Sequence, residues 1–264
     1  MKSIFRHIKS VPILGDFLVG MKAKITGKWK EDPSYWLGLM VQAKQAQVVQ
    51  IGSNDGTSND PIHRLLMKNQ QWKALLVEPV PFVFERLKKN YGTSSRFAFE
   101  NLAVGEDESL DFYWVSQEAK VKFPTIPYWY DQVGSFSKDH VLHHFSEFEI
   151  EPYIVSENVK IISFSRLIEI NKINKIDILH IDTEGHDYKV LSMVDFSETQ
   201  PICILFEFKH LSFEEKIASS ELLSPFYDLF LIGEDVLAVH KGLPISIRSR
   251  FNILSTPILC GSVV

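Results

Sequence analysis

Between residues 46 and 207 the chain repeats one pattern. A short apolar run rich in β-branched residues closes on a Gly or an acid, and helical spacing or a turn follows. The runs are Gln47–Ile51, Ala74–Val77, Phe97–Val104, Asp177–Ile181 and Ile202–Phe206. Runs this short and this apolar suit strands buried on both faces, and a parallel sheet needs a crossover between each pair. The pattern therefore predicts an α/β fold, doubly wound, with a mainly parallel sheet and helices on both sides. In such sheets ligands bind beyond the carboxyl ends of the strands, and that is where the unusual polar residues fall.

The remaining segments modify this plan. Leu110–Val115 alternates and predicts a further strand, as does Val159–Ile162, with a helix from Ser165. Phe226–Ile232 and Val236–His240 flank Gly233-Glu234-Asp235 and predict a closing hairpin. Ile4, Ile8, Val11, Phe17 and Leu18 give residues 1–45 the period of amphipathic helices, an N-terminal helical extension before a main domain over residues 46–264. Residues 117–157, rich in Pro, aromatics and His, show no clear period and read as a substrate-side insertion or lid.

Hydrophobic residues make up 45% of the 264, enough for one large core. A net charge of −5 argues against broad nucleic-acid binding, which needs a basic face. Cys203 and Cys260 lack metal-ligand spacing and require no disulfide, which suits a reducing, cytoplasmic setting. Pro12 and Asp16 interrupt the first apolar run, so no signal peptide is expected. Lys2, Arg6, Lys9, Lys22, Lys24, Lys28 and Lys30 give the start a basic amphipathic character that could lie weakly on the inner face of a membrane, although a docking helix has the same look.

Gly52-Ser53-Asn54-Asp55-Gly56 joins a strand to a helix, and its glycines let the backbone turn sharply and approach a ligand. A P-loop would need a Lys near its end, and a dinucleotide fold G-x-G-x-x-G; this loop has neither. A loop that holds the amino-acid end of S-adenosylmethionine needs no phosphate cradle and fits best. Glu78, closing the second strand, can accept both ribose hydroxyls. An ordinary turn and a surface acid are the plainer alternative.

With these motifs the chain resembles the FkbM family of methyltransferases. The matching segments are Val48–Gly56, Val77-Glu78-Pro79, Asn101–Gly105, Ile178–Asp187 (with Ile181-Asp182-Thr183-Glu184-Gly185-His186-Asp187) and Phe206-Glu207. The resemblance implies a seven-stranded, Rossmann-like class I methyltransferase fold, with S-adenosylmethionine as cofactor and O-methylation as the reaction. It assigns Gly52, Ser53, Asn54, Asp55 and Gly56 to the methionine part, Glu78 with Pro79 to the ribose, and Asn101 and Ala103 to the adenine side. Gln50 departs from the family, which usually has an acid there; Gln keeps a hydrogen-bonding group and loses the charge.

Methyl transfer to a hydroxyl requires alignment and removal of one proton. Asp182, Glu184 and His186 cluster at the fourth strand's end, and His186 is the natural base, its unperturbed pKa being about 6.5. Asp182 could steady the sulfonium or help ligate a divalent ion. The alternative is structural: Asp182 or Thr183 capping the next helix, with Glu184 complementing its dipole. Glu207, Lys209 and His210 end the fifth strand, where a polar group would face the same crevice and could contact substrate; a solvated strand end is the equal alternative. On a helix His140 and His144 share a face that suits a metal, but zinc would need a third ligand that the local sequence does not name; a solvated helix is the alternative. His140 also follows a segment resembling the family's substrate side.

The expected activity is thus O-methylation of a sugar, glycan or other small-molecule acceptor, with no nucleic-acid partner. Two rivals stand beside it. One is a catalytically silent cofactor-binding module, kept alive by Gln50; the other is a peripheral membrane methyltransferase acting on a lipid-linked acceptor.

Overall fold

The computed structural model describes residues 31–40, 45–106 and 110–253. Residues 1–30, with the basic amphipathic start, and Cys260 lie outside them. The chain runs α1 (Pro33–Met40), β1 (Gln47–Ile51), α2 (His63–Lys68), β2 (Lys73–Val77), α3 (Pro81–Tyr91) and β3 (Phe97–Glu100). Then come β4 (Ala103–Val104), β5 (Phe112–Val115), α4 (Glu118–Lys122), β6 (Gly134–Ser135), α5 (Lys138–His144), β7 (Ile154–Glu157) and β8 (Ile161–Ile162). The last part holds α6 (Phe164–Ile170), β9 (Ile178–Ile181), α7 (Asp187–Ser192), β10 (Cys203–Glu207), α8 (Phe213–Leu223), β11 (Tyr227–Ile232), β12 (Asp235–His240) and α9 (Ile245–Arg248).

Seven strands form one sheet in the order β11-β12-β10-β9-β1-β2-β3. Neighbours from β10 to β3 are parallel, and β12 runs antiparallel to both β10 and β11. The parallel strands are apolar throughout because each face has its own cover. Val48, Ala74 and Leu76 join Trp36, Leu66, Leu87 and Phe251 on one side. Val49, Leu75 and Leu179 join Leu167, Val190 and Leu223 on the other. Each such side chain contributes about 1.5–3 kcal/mol on burial, which selects the doubly wound arrangement. Trp36 and Leu37 of α1 are buried in the same core, so the segment just before the domain is packed into it.

The expected third strand, Phe97–Val104, is broken. β3 ends at Glu100, and β4 leaves the large sheet to pair in parallel with β8. Asn101 makes the break: its Nδ2 donates to the Glu78 carbonyl at 2.8 Å and the Pro79 carbonyl at 3.0 Å, turning the chain across the end of β2. The stretch 117–157 also has more order than its sequence suggests. Its β6 and β7 flank β5 in a three-stranded antiparallel sheet, backed by a separate core of Val115, Tyr130, Val141, Phe145 and Ile150.

Candidate active site

The order of the large sheet turns at β1, flanked by β2 on one side and β9 on the other. Beyond the carboxyl ends of these strands lies a cleft of about 520 Å³, within the range of small-molecule sites. The segment around β5–β7 roofs it, and three ties hold roof to floor. Arg86 pairs with Asp131 at 2.8 Å, Asn54 Nδ2 donates to the Gln132 carbonyl at 3.3 Å, and Ser135 Oγ donates to the Glu184 carbonyl at 3.2 Å.

Gly52, Ser53, Asn54, Glu78, Pro79 and Ala103 line the cleft, as do Asp182, Glu184, His186 and Glu207. Asp55, Gly56, Asn101 and His140 stand behind its wall. Asp55 is occupied locally, accepting from the backbone and hydroxyls of Thr57 and Ser58. Burial raises its pKa, but these bonds outweigh burial and lower it. The glycines of the loop serve protein packing first. Gly52 has φ +79°, and a Cβ there would fall 1.6 Å from the Asp182 carbonyl oxygen; at Gly56 it would meet Tyr91 and Leu87. Close approach is required, as expected, but the approaching groups belong to the protein.

Backbone bonds hold the cofactor-side loop. Gly52 and Ser53 N–H donate to the Val77 carbonyl at 3.0 and 2.8 Å, and Ser53 Oγ accepts from Val77 N–H at 3.0 Å. Glu78 accepts from Asn54 N–H and Val80 N–H, both at 2.9 Å, one bond to each oxygen. Burial nevertheless pushes its carboxyl up to about 7. At the floor Gln50 lies beside His180 in register, and Gln50 Oε1 and His180 Nδ1 are buried with no partner among the described residues. Burial lowers the His180 imidazole to about 4. A side cavity shares Asp60, His180 and Asp182 with the cleft and reaches Asp32–Ser34 at the start of α1.

At the other end acids crowd together. Asp182 opens onto the water of the cleft, yet depth in the protein and then Glu184 and Glu207 raise its carboxyl well above the usual range. Glu207 is pushed up to about 9, by burial first and then Glu184 and Asp187. Neither Asp182 nor Thr183 caps α7; its N-cap is His186, without a side-chain bond. The structural alternative for Asp182 is thus not what the fold uses. Asp187, quoted in the motif but given no role, is fully buried. It accepts from Thr183 N–H and Oγ1 on one oxygen and from Glu207 N–H on the other, at 3.2, 3.0 and 3.2 Å.

His186 packs against Phe136, ring centroids 4.7 Å apart, and its ring makes no hydrogen bond among the described residues. Burial, then Lys189, lowers it to about 4 rather than leaving it near 6.5. His140 and His144 do share a face of α5, half-buried rather than solvated, while His143 is exposed. His140 Nε2 lies 3.3 Å from Glu184 Oε2, and the His210 ring centres 5.0 Å from those of both His140 and His144. Burial lowers His144 and His210. His210 sits 66 positions beyond His144, and only the fold brings it there.

No helix among the described residues is long and apolar enough to cross a membrane. No curated protein matches the chain. Solved structures similar to it include a TehB-like SAM-dependent methyltransferase from Corynebacterium glutamicum, 10% identical, covering 86% of this chain and 97% of that one with a TM-score of 0.36. Another is the Methanococcus jannaschii fibrillarin pre-rRNA processing protein, 8% identical, covering 76% and 68% with a TM-score of 0.39. A third is a precorrin-6y C5,15-methyltransferase from Geobacter metallireducens, 9% identical, covering 78% and 86% with a TM-score of 0.35. These likenesses are distant, whereas the model of the methyltransferase FkbM domain matches residues 50–232, more than two thirds of the sequence. The chain belongs to the FkbM family of methyltransferases.

Proposed function

We propose that this methyltransferase methylates a hydroxyl of a sugar, glycan or other small-molecule acceptor in the cytoplasm, using S-adenosylmethionine. The observation that carries the reading is the division of the cleft, with backbone loops and one buried carboxyl at one end and acids with an imidazole at the other. When bound, S-adenosylmethionine supplies an electrophilic methyl on a sulfonium. The floor suits such a ligand, because Gln50 Oε1 and His180 Nδ1 are buried without partners among the described residues and can be satisfied by a polar molecule.

Gly52–Asn54 would hold the methionine part, with Asp55 and Gly56 as framework. Glu78 would take the ribose hydroxyls on its remaining lone pairs, and Pro79, Leu102 and Ala103 offer an apolar wall to adenine. Asn101 shapes that wall from behind. Asp182 would steady the sulfonium, whose positive charge would favour the ionised carboxylate that burial and its acidic neighbours disfavour. His186 takes the hydroxyl proton. Its lowered pKa keeps it neutral at working pH, with a lone pair available.

Calorimetry with S-adenosylhomocysteine tests this reading. Binding is expected, weakened in Glu78→Ala by about 1.5–3 kcal/mol, as for hydrogen bonds to a charged group. Tight binding of NADH with none of S-adenosylhomocysteine would overturn it.

A further inference from the structure

The side chains at the roof end of the cleft converge on one point. His140 Nε2 and His144 Nε2 stand 3.1 Å apart. Both approach the same carboxylate oxygen, Glu184 Oε2, at 3.3 and 3.8 Å. His210 completes the group, and one ligand atom from each of the three histidines lies within 4.8 Å of the others. The rings meet edge to face, His210 making interplanar angles of 87° with His140 and 62° with His144, so the imidazoles surround a centre rather than stack.

We propose that His140, His144, His210 and Glu184 form a binding site for a divalent ion of the zinc class. A tetrahedral zinc with Zn–N distances of about 2.0–2.1 Å has edges of about 3.3–3.4 Å between its ligands. The separations of 3.1, 3.3 and 3.8 Å lie near such edges and outline one face, formed by His140, His144 and Glu184; His210 brings its ligand atom within 4.8 Å of the other two imidazoles. The donor set, three imidazoles and one carboxylate, favours zinc or cobalt over magnesium or calcium, which take oxygen ligands.

The surroundings prepare the site. His140 and His144 are one turn apart on α5, whose N-terminus is fixed by Ser137 Oγ accepting from His140 N–H at 3.2 Å. Ser135 Oγ ties the same segment to the Glu184 carbonyl. Gly185, with φ +90°, lets the Glu184 loop lie against His140, to whose ring a Cβ would come within 3.8 Å. Glu207 Oε1 lies 3.5 Å from His210 Nε2, a carboxylate placed to orient a ligand imidazole. Lys209, the nearby cation, is drawn off by Glu234 at 2.9 Å. His144, His210 and Glu184 line the cleft, so the ion would join the roof to the strand ends beside the acceptor position. The inference does not depend on which acceptor the enzyme uses.

The test is metal titration of the purified full chain after chelator treatment and dialysis, using Zn²⁺ and Co²⁺ with Mg²⁺ as control. One equivalent of Zn²⁺ should bind and raise the melting temperature, and Co²⁺ should give the visible absorption of a tetrahedral nitrogen-rich site. His144→Gln and His210→Gln should each weaken Zn²⁺ binding by about 100-fold. Both should keep the wild-type melting temperature of the stripped protein. If either variant melts early when stripped, His144→Asn and His210→Asn take its place with the same expected loss. Absence of Zn²⁺ binding to the stripped wild type, equal binding in the variants, or preference for Mg²⁺ would overturn the site. Failure of S-adenosylhomocysteine to bind would overturn the cofactor reading and leave this result standing.

Discussion

The two ends of the cleft are built from different materials. At the Gly52–Glu78 end the wall is main chain pinned by two side chains: Gly52 and Ser53 N–H bond to the Val77 carbonyl, Asn54 and Val80 N–H bond to the Glu78 carboxyl, and the Asn101 amide bonds to the carbonyls of Glu78 and Pro79. At the roof end the wall is side chain, and His140, His144, Glu184 and His210 face one another across segments far apart in sequence. A backbone wall tolerates change in side chains but not in the space that the chain occupies. A side-chain wall behaves the opposite way, since its scaffold survives truncation while its chemistry does not.

Gly52→Ala should be the most damaging single change, because its Cβ would overlap the Asp182 carbonyl oxygen. A loss of about 4 kcal/mol or more is expected, at the severe end for one substitution, read as a collapse of the thermal unfolding transition. A normal melt would mean that β1 and β9 do not approach as described. His186→Ala should leave the fold intact and lower kcat by about 100- to 10,000-fold, with little change in cofactor affinity. Single-turnover methyl transfer measures this, and an unaltered rate would place the base on another residue.

The pH response separates the ends further. Glu78 stands at about 7 in the free protein because burial disfavours its charge, whereas ribose hydroxyls would donate to the charged form. Cofactor binding must then release its proton. Affinity for S-adenosylhomocysteine should fall as pH drops below about 7, by up to about tenfold per unit, and level off above. Glu78→Gln should bind more weakly and lose that slope; a slope that persists belongs to another group. Ser135→Ala should have the smallest effect, about 0.5–1.5 kcal/mol of stability, since it removes one hydrogen bond between roof and floor. A change in melting temperature too small to measure would show that the roof is held by its other ties.

The difference between the ends also explains what could be read in advance. Strands such as Lys73–Val77 and Cys203–Glu207 announce themselves because a doubly covered strand must be apolar at nearly every position. The Gly52–Gly56 loop and Glu78 follow from their places at strand ends. The break after Glu100 was hidden, since apolar residues continue on both sides of it and only the bonds of Asn101 redirect the chain. β6 is two residues long, too short to carry a period, and its pairing with β5 is a tertiary fact. His210 was expected near the crevice, but its grouping with His140 and His144 was hidden for a related reason. Nothing near His140 or His144 points to His210, which arrives through the crossover leading to β10. Asp187, the third acid of the Asp182–Asp187 run, was open to an ordinary reading as an acid opening a helix, and only its bonds to Thr183 and Glu207 show what it holds.

Asp187 separates the shape of the β9 loop from the identity of its exposed side chains. One buried carboxyl, holding Thr183 and the backbone of Glu207, fixes the path of the chain from both strand ends. Residues 184 and 186 lie between those anchor points and contribute their side chains to the cleft. The loop is a socket: its path rests on Thr183, Asp187 and the Glu207 backbone, so a change at residue 184 or 186 is expected to be felt in the cleft before it is felt in the fold.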